Sequence, residues 1–302
     1  MALPVFSMSR AAPVFAGAAL LLSLAAHAQA QTTPASSEQV ERGAYIFHVA
    51  GCENCHTDTA NKAAPLAGGR GLKTPFGTFR TPNITPDPTH GIGKWSEADF
   101  IRALRDGRAP NGDHYFPAFP YTSYTKMTDA DMKDLRAYIF TLPAVAKPNL
   151  PHELGFPFNI RLGVMVWKWL NFTPGPLPAS STKDEAWTRG RYLVEAVGHC
   201  AECHTPRDRL GGLVKSMWMA GSKDGAEGEG APNITPDPAT GIGEWAEDDL
   251  AFALKIGMAP TGDTLGSLMA DVVENGTSKM TDADLAAMAA YLKSLPAIVH
   301  KP

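Results

Sequence analysis

The chain has 302 residues, 44% of them hydrophobic and 19% charged, which suits about two globular domains and excludes a wholly disordered chain. Lysine and arginine number 27 against 31 acids, a net charge of −4, so no cationic excess is available to hold nucleic acid as the main partner. Twenty-five prolines and 28 glycines point to long ordered loops between short elements.

Arg10 is the first charged side chain, and an apolar run over residues 11–26 follows it, interrupted by Pro13. Ala26-His27-Ala28-Gln29-Ala30 then offers two overlapping small-residue exits. A positive start, a short apolar stretch and such an exit predict a secretory signal peptide over residues 1–30, cleaved near Ala28 or Ala30, and a periplasmic mature protein. No stretch reaches the roughly 18 uninterrupted apolar residues that a spanning helix wants.

Beyond residue 38 the chain restates itself at a spacing that drifts from 147 to 153 residues. Arg42-Gly43-Ala44-Tyr45 returns as Arg189-Gly190-Arg191-Tyr192, the heptapeptide PNITPDP at 82–88 recurs at 232–238, and Gly91-Ile92-Gly93-Lys94-Trp95 becomes Gly241-Ile242-Gly243-Glu244-Trp245. Such a period marks one duplicated domain, since solenoid units run to about 20–50 residues. The expected division is domain 1 over 38–143, a linker over 144–181 and domain 2 over 182–302. The drift predicts small loop insertions in the second copy.

Within each copy the helix signals are short. Ser96 and Trp95 precede a short helix that begins at Glu97 and ends near Gly107. Thr128 and Thr281 read as N-caps, with Asp131 and Asp284 in capping-box positions and Met127 and Met280 placed as hydrophobic staples. Leu135, Ile139 and Leu142, and Leu285, Met288 and Leu292, then form apolar stripes. No run alternates well enough to predict a strand. The linker's most apolar piece, Val164-Met165-Val166-Trp167-Lys168-Trp169-Leu170, is expected to pack between the domains, with peripheral membrane association or partner docking as the alternative.

All four cysteines fall in two C-x-x-C-H segments, Cys52-Glu53-Asn54-Cys55-His56 and Cys200-Ala201-Glu202-Cys203-His204. This is the pattern of covalent c-type haem attachment. Two thiols three residues apart share one side of a helical turn and can form thioethers to one porphyrin, and the adjacent imidazole can reach its iron. Disulfides would not need a histidine at the same place twice, and a zinc ribbon would bring its two pairs within about 15–20 residues. Two covalent haems c are therefore expected, with His56 and His204 as proximal ligands. Met269 is the candidate sixth ligand of the second haem, because a thioether closes the site and raises the potential. The first copy offers His114 or Met127 for that role.

These residues give the chain a resemblance to the multihaem cytochrome c subunits of periplasm-facing alcohol, gluconate, fructose and aldehyde dehydrogenases. The likeness runs from about Arg42 to Pro296. It also rests on Thr81-Pro82-Asn83-Ile84-Thr85, on the Gly-Ile-Gly-x-Trp runs and on Gly198-His199-Cys200-Ala201-Glu202-Cys203-His204-Thr205-Pro206-Arg207. The resemblance implies an all-α fold of two tandem class-I-like cytochrome c domains, each wrapping one haem in Pro/Gly-rich loops. It implies electron transfer from a periplasmic dehydrogenase towards a quinone-linked complex, an oxidase or a small cytochrome. Relatives often place a methionine where this chain has Phe119. That departure motivates the alternative of a dihaem oxidoreductase, peroxidase-like or thiosulfate-oxidising, with chemistry at an open first haem.

Overall fold

The computed structural model describes Ala2 and residues 35–302, so the expected signal peptide and its cleavage sites lie outside the described residues. Helix α1 (Ser37–Val49) starts where the Ser36 hydroxyl accepts from the Gln39 N–H, satisfying one of the donors that a helix start leaves open. It packs on α5 (Asp129–Ile139), and its counterpart α7 (Glu185–Tyr192) packs on α11 (Asp282–Lys293). The repeated Arg-Gly pair explains the closeness of both crossings. A Cβ on Gly43 would lie 1.9 Å from the Asp134 carbonyl oxygen, and one on Gly190 equally close to that of Ala287. The neighbouring Arg42 reaches across to Asp134, and Arg189 to Asp284.

Between these helices lie the short elements. Helix α2 (Cys52–His56) and α8 (Ala201–His204) carry the C-x-x-C-H segments. Helix α3 (Glu97–Asp106) and α9 (Glu247–Ile256) follow the Gly-Ile-Gly turns, and α4 (Tyr121–Tyr124) and α10 (Leu268–Asn275) precede the last helix of each half. Ser96 and Asp99 form a reciprocal capping box, and Gly107 ends α3 at φ 57°. Leu135 and Ile139, and Leu285, Met288 and Leu292, are buried, as are Met127 and Met280, which sit in the same continuous core; Leu142, past the end of α5, is only partly buried against it.

The expectation of no strands is corrected. Gly71–Thr74 (β1) and Gly77–Arg80 (β2) form a hairpin in which Leu72 faces Phe79, and Glu153–Leu154 (β3) from the linker adds a third antiparallel strand. Four-residue strands are too short to show alternation, and the pairing with β3 spans more than 70 residues, which no local pattern records.

One insertion in the second copy is not in a loop. Between Tyr192 and Cys200 the second copy has one more residue than the first has between Tyr45 and Cys52. The chain absorbs it inside the helix as a π turn over Leu193–Val197, with the Gly198 N–H donating to the Leu193 carbonyl at 2.7 Å.

Residues 35–302 form one compact unit, joined by reciprocal contacts. The Tyr45 hydroxyl donates to Asp284 and the Tyr192 hydroxyl to Asp131. Here too the sequence reading is corrected. Asp131 and Asp284 do not close capping boxes with Thr128 and Thr281. The other half's tyrosine takes each carboxylate, and its oxygen accepts from the threonine N–H that a box would have satisfied. The apolar linker piece becomes α6 (Leu162–Asn171) and does not simply pack between the halves. Val164 and Lys168 are buried, Lys168 on the Asp106 and Gly107 carbonyls of the first half, and the Trp167 indole donates to Leu210 of the second. Leu162, Met165, Val166, Trp169 and Leu170 face outward. Among the described residues, no helix is long and apolar enough to cross a membrane.

Candidate functional site

Each C-x-x-C-H segment is one short turn of helix. Gly51, at φ 60°, opens α2, and Thr57 closes it in extended conformation; Thr205 does the same for α8. The buried Thr57 and Thr205 hydroxyls each accept from a backbone N–H at 3.0 Å, that of Leu66 and that of Met219, so the chain after the histidine doubles back beneath it. The Gly68 and Gly221 N–H groups donate to the carbonyls of His56 and His204, both at 2.8 Å.

The imidazoles are oriented from behind. Nδ1 of His56 lies 2.7 Å from the Pro82 carbonyl oxygen and Nδ1 of His204 lies 2.8 Å from that of Pro232. A carbonyl can only accept, so Nδ1 carries the proton and Nε2 of a neutral ring keeps its lone pair. This is the arrangement by which an outer partner fixes the tautomer and direction of a metal-ligating histidine. Burial pushes both imidazoles down from the ordinary histidine range, which keeps them neutral.

The prolines that supply those carbonyls begin the repeated PNITPDP loop, and that loop is itself pinned. The buried Asn83 amide donates to Val145 and Lys147 carbonyls at 2.7 and 3.1 Å, while its oxygen accepts from the Thr85 N–H and hydroxyl. Asn233 repeats the pattern with the Ile298 carbonyl and Thr235. The sequence reading did not reach these proline carbonyls. The only trace of a backbone acceptor is the identity of the two heptapeptides.

The thiols share the histidines' surroundings. Cys55 is exposed and the other three are partly so, none in a disulfide. Enough protein surrounds them that burial, with the adjacent thiol second, pushes Cys52 and Cys200 up to about 12. Paired thiols on one turn beside a directed imidazole nitrogen suit thioether formation and iron ligation. They do not make a closed hydrophilic metal cage, and no group of three or more ligating His, Cys, Asp or Glu residues occurs among the described residues. The donor set fits a covalent haem in each half.

The candidate sixth ligands lie apart in the fold. Met269 sits in the first turn of α10, partly buried against the core. Phe119 holds the matching place in the first copy, within a cluster of Tyr115, Tyr121 and Tyr124 rings. Met127 is buried in the core. His114 lies in the loop before α4, where its Nδ1 is buried without a hydrogen-bond partner and burial lowers its basicity.

The two segments also touch the opposite halves. Asn54, between the first pair of cysteines, donates to the Asp271 carbonyl and accepts from Asn275, both on α10. Its counterpart Glu202 accepts from the hydroxyls of Thr122 and Ser123 on α4 and pairs with Arg207. Each attachment turn thus leans on the short helix, α10 or α4, that precedes the last helix of the other half. The Tyr124 hydroxyl and His199 Nε2 meet at the Ala50 carbonyl between them.

The sequence profile of the cytochrome c family matches residues 40–143 and 188–296. The chain is 45% identical over 296 residues to a diheme cytochrome c-type protein of Cereibacter sphaeroides, covering 94% of this chain and 98% of that one. It is 40% identical over 271 residues to the fructose dehydrogenase cytochrome subunit of Gluconobacter japonicus, covering 88% of this chain and 55% of that one. It is also 40% identical over 301 residues to the cytochrome c subunit of the quinone-dependent alcohol dehydrogenase of Gluconacetobacter polyoxogenes, covering 96% and 63%. The chain therefore spans nearly all of the first relative and less than two thirds of the dehydrogenase subunits. With a directed histidine and paired thiols in both halves, and with these matches over both, the chain belongs to the cytochrome c family and has two haems c as its cofactors.

Proposed function

We propose that the protein is a two-haem electron carrier that accepts electrons from a periplasmic dehydrogenase and passes them to a quinone-linked complex, an oxidase or a small cytochrome. In this reading Cys52 and Cys55 hold one haem and Cys200 and Cys203 the other, with His56 and His204 as proximal ligands. The division follows the duplication, domain 1 over 38–143 and domain 2 over 182–302. The observation that carries the reading is the repeated hydrogen bond from each histidine Nδ1 to a proline carbonyl. When bound, each haem supplies a one-electron iron couple, and the chain supplies the rest. His56 and His204 are held rigid and neutral, the PNITPDP loops fix their direction, and contacts between the halves keep the two attachment turns at a fixed separation. That rigidity keeps reorganisation small when charge changes.

Met269 is the proposed sixth ligand of the second haem, and His114 or Met127 that of the first. Phe119 in its aromatic cluster motivates a second reading, a dihaem oxidoreductase acting on peroxide or thiosulfate at an open first haem. Export to the periplasm is part of the proposal. So is peripheral membrane association through the outward face of α6. That face's exposed apolar residues and Trp169 lie in a stretch, 155–182, whose only charges are Arg161 and Lys168.

Carbon monoxide binding to the dithionite-reduced holoprotein tests the reading, with Met269→Ala, Met127→Leu and His114→Ala alongside. The carrier predicts no spectral shift in the parent, one new site in Met269→Ala and one in either the Met127 or the His114 variant. Stoichiometric binding to one haem of the parent refutes closure of both haems and moves the test to peroxide and thiosulfate turnover.

A further inference from the structure

The linker shows, on the first half, how one face of this domain is covered. The segment runs from Arg161, which donates to the His114 carbonyl at 2.9 Å, to Gly175, whose N–H donates to Thr125 Oγ1 at 3.0 Å. Between them Lys168 donates to the Asp106 and Gly107 carbonyls, the C-terminal end of α3, at 2.6 and 2.8 Å. Its ammonium lies 4.4 Å from the Tyr121 ring centroid, and the Phe172 ring packs edge-on to Tyr121. A cation on the last carbonyls of a helix complements their partial negative charge.

Among the described residues, the second half has the same face without the cover. Gly257 ends α9 as Gly107 ends α3; a Cβ there would touch Val273 at 3.5 Å, whereas one on Gly107 would run into the Tyr121 ring at 2.5 Å. Ile256, Gly257, Thr264, Leu265, Ala270 and Val273, together with the polar Lys255, Glu274 and Ser278, line an open groove. Four of these match the positions that the linker or its immediate contacts occupy on the first half: Asp106, Gly107, His114 and Tyr121. Where α3 and the loop after it carry Arg102, Asp106 and Arg108, the second half has Phe252, Ile256 and Met258, and all three are at least 40% exposed. On the first half Arg102 and Asp106 are part-exposed and Arg108 is exposed, so the contrast lies in the open copy, which presents apolar side chains to solvent at all three places.

Charge indicates the occupant. From residue 247 to 276 the second half carries six acids and the single base Lys255, whereas the matching stretch 97–125 carries four acids and three bases. The cover on the first half is acid-free and cationic from 155 to 183, with Arg161, Lys168 and Lys183. We propose that the groove of the second half is a docking site for a helix of a partner protein, apolar and acid-free, with a lysine or arginine in its last turn that reaches the Ile256 and Gly257 carbonyls as Lys168 reaches Asp106 and Gly107. The outward Leu162 and Met165 of α6 are not its target, and the assignment stands whether or not the protein relays electrons.

The probe is a peptide of residues 159–173 from this chain, stapled between positions 162 and 166 on the outward side, with a photo-crosslinker at 164. The staple removes the ordering cost that keeps a ten-residue helix from forming alone. Added to the two-haem holoprotein, it is expected to bind saturably, more weakly at high salt, and to crosslink within 256–273. Ile256→Lys/Met258→Lys replaces two exposed residues, leaves the haem spectrum unchanged and weakens binding at least about tenfold, a loss of about 1.4 kcal/mol. Absence of saturable binding, equal binding to the double variant, or crosslinks confined to 106–121 overturns the proposal. Self-association of the holoprotein that the double variant abolishes would assign the groove to a second copy. Binding to phosphatidylglycerol vesicles that the variant abolishes and the peptide does not block would assign it to lipid. Either result also overturns it.

Discussion

Asn83→Ala is expected to destabilise the holoprotein by about 3 kcal/mol, and the figure follows from what the amide holds. The side chain is 1% exposed and makes two donated and two accepted hydrogen bonds. Removing it leaves the buried Thr85 N–H and the Val145 carbonyl without these partners, and each such group costs about 1–3 kcal/mol. The Thr85 hydroxyl still accepts from the Val145 N–H at 3.1 Å, so part of the junction survives and the upper end of the range does not apply. For a chain of this size the midpoint of thermal unfolding should fall by about 6–12 °C. Asn83→Asp keeps the acceptor for Thr85 but turns a carboxylate oxygen towards two carbonyls, so it should cost at least as much. Asn233→Ala should cost a similar amount, and the two losses should add, because the sites share no partner. Circular dichroism melts of the three variants measure this. A midpoint within about 1 °C of the parent for Asn83→Ala, or a neutral Asn83→Asp, refutes the account of the loop that directs His56.

Tyr192→Phe removes the hydroxyl that Asp131 and the Thr128 N–H share, and should cost about 1–2 kcal/mol in denaturant melts; an unchanged midpoint would show that water replaces it freely. Asp284 should make the protein acid-sensitive. Burial pushes its carboxyl up, but the Arg189 guanidinium and the Tyr45 hydroxyl outweigh it and hold the group below the usual range. Its contribution is therefore present above about pH 4 and lost as the pH falls through the lowered folded value, and Asp284→Asn should flatten that part of the stability profile. Lys168→Met should release α6: the Asp106 and Gly107 carbonyls lose their cation, and limited proteolysis should cut within 150–176 faster than in the parent. Burial pushes that ammonium down to about 8, which marks how far the lysine has been drawn from water.

Much of the molecule was legible in the chain because its signals are local. C-x-x-C-H places three reactive groups on one turn whatever surrounds it. Ser96, Thr128 and Thr281 cap helices through an N–H three residues away, and the duplication repeats each signal. The attachment turns, the helix stripes and the burial of Met127 and Met280 followed from such patterns. What the tertiary structure alone decided depends on partners far apart in sequence or without side-chain identity. The acceptors for His56 and His204 are backbone carbonyls, which no residue type announces. Asp131 and Asp284 have capping-box spacing, yet tyrosines more than 60 residues away take their carboxylates, because a phenol from the other half reaches both box atoms at once. The linker's β3 extended the short hairpin, the extra residue before Cys200 became a π turn, and α6 covered one half while leaving the other's matching groove open among the described residues. A repeated sequence dictates a repeated fold; which copy receives the linker is settled only when the chain packs.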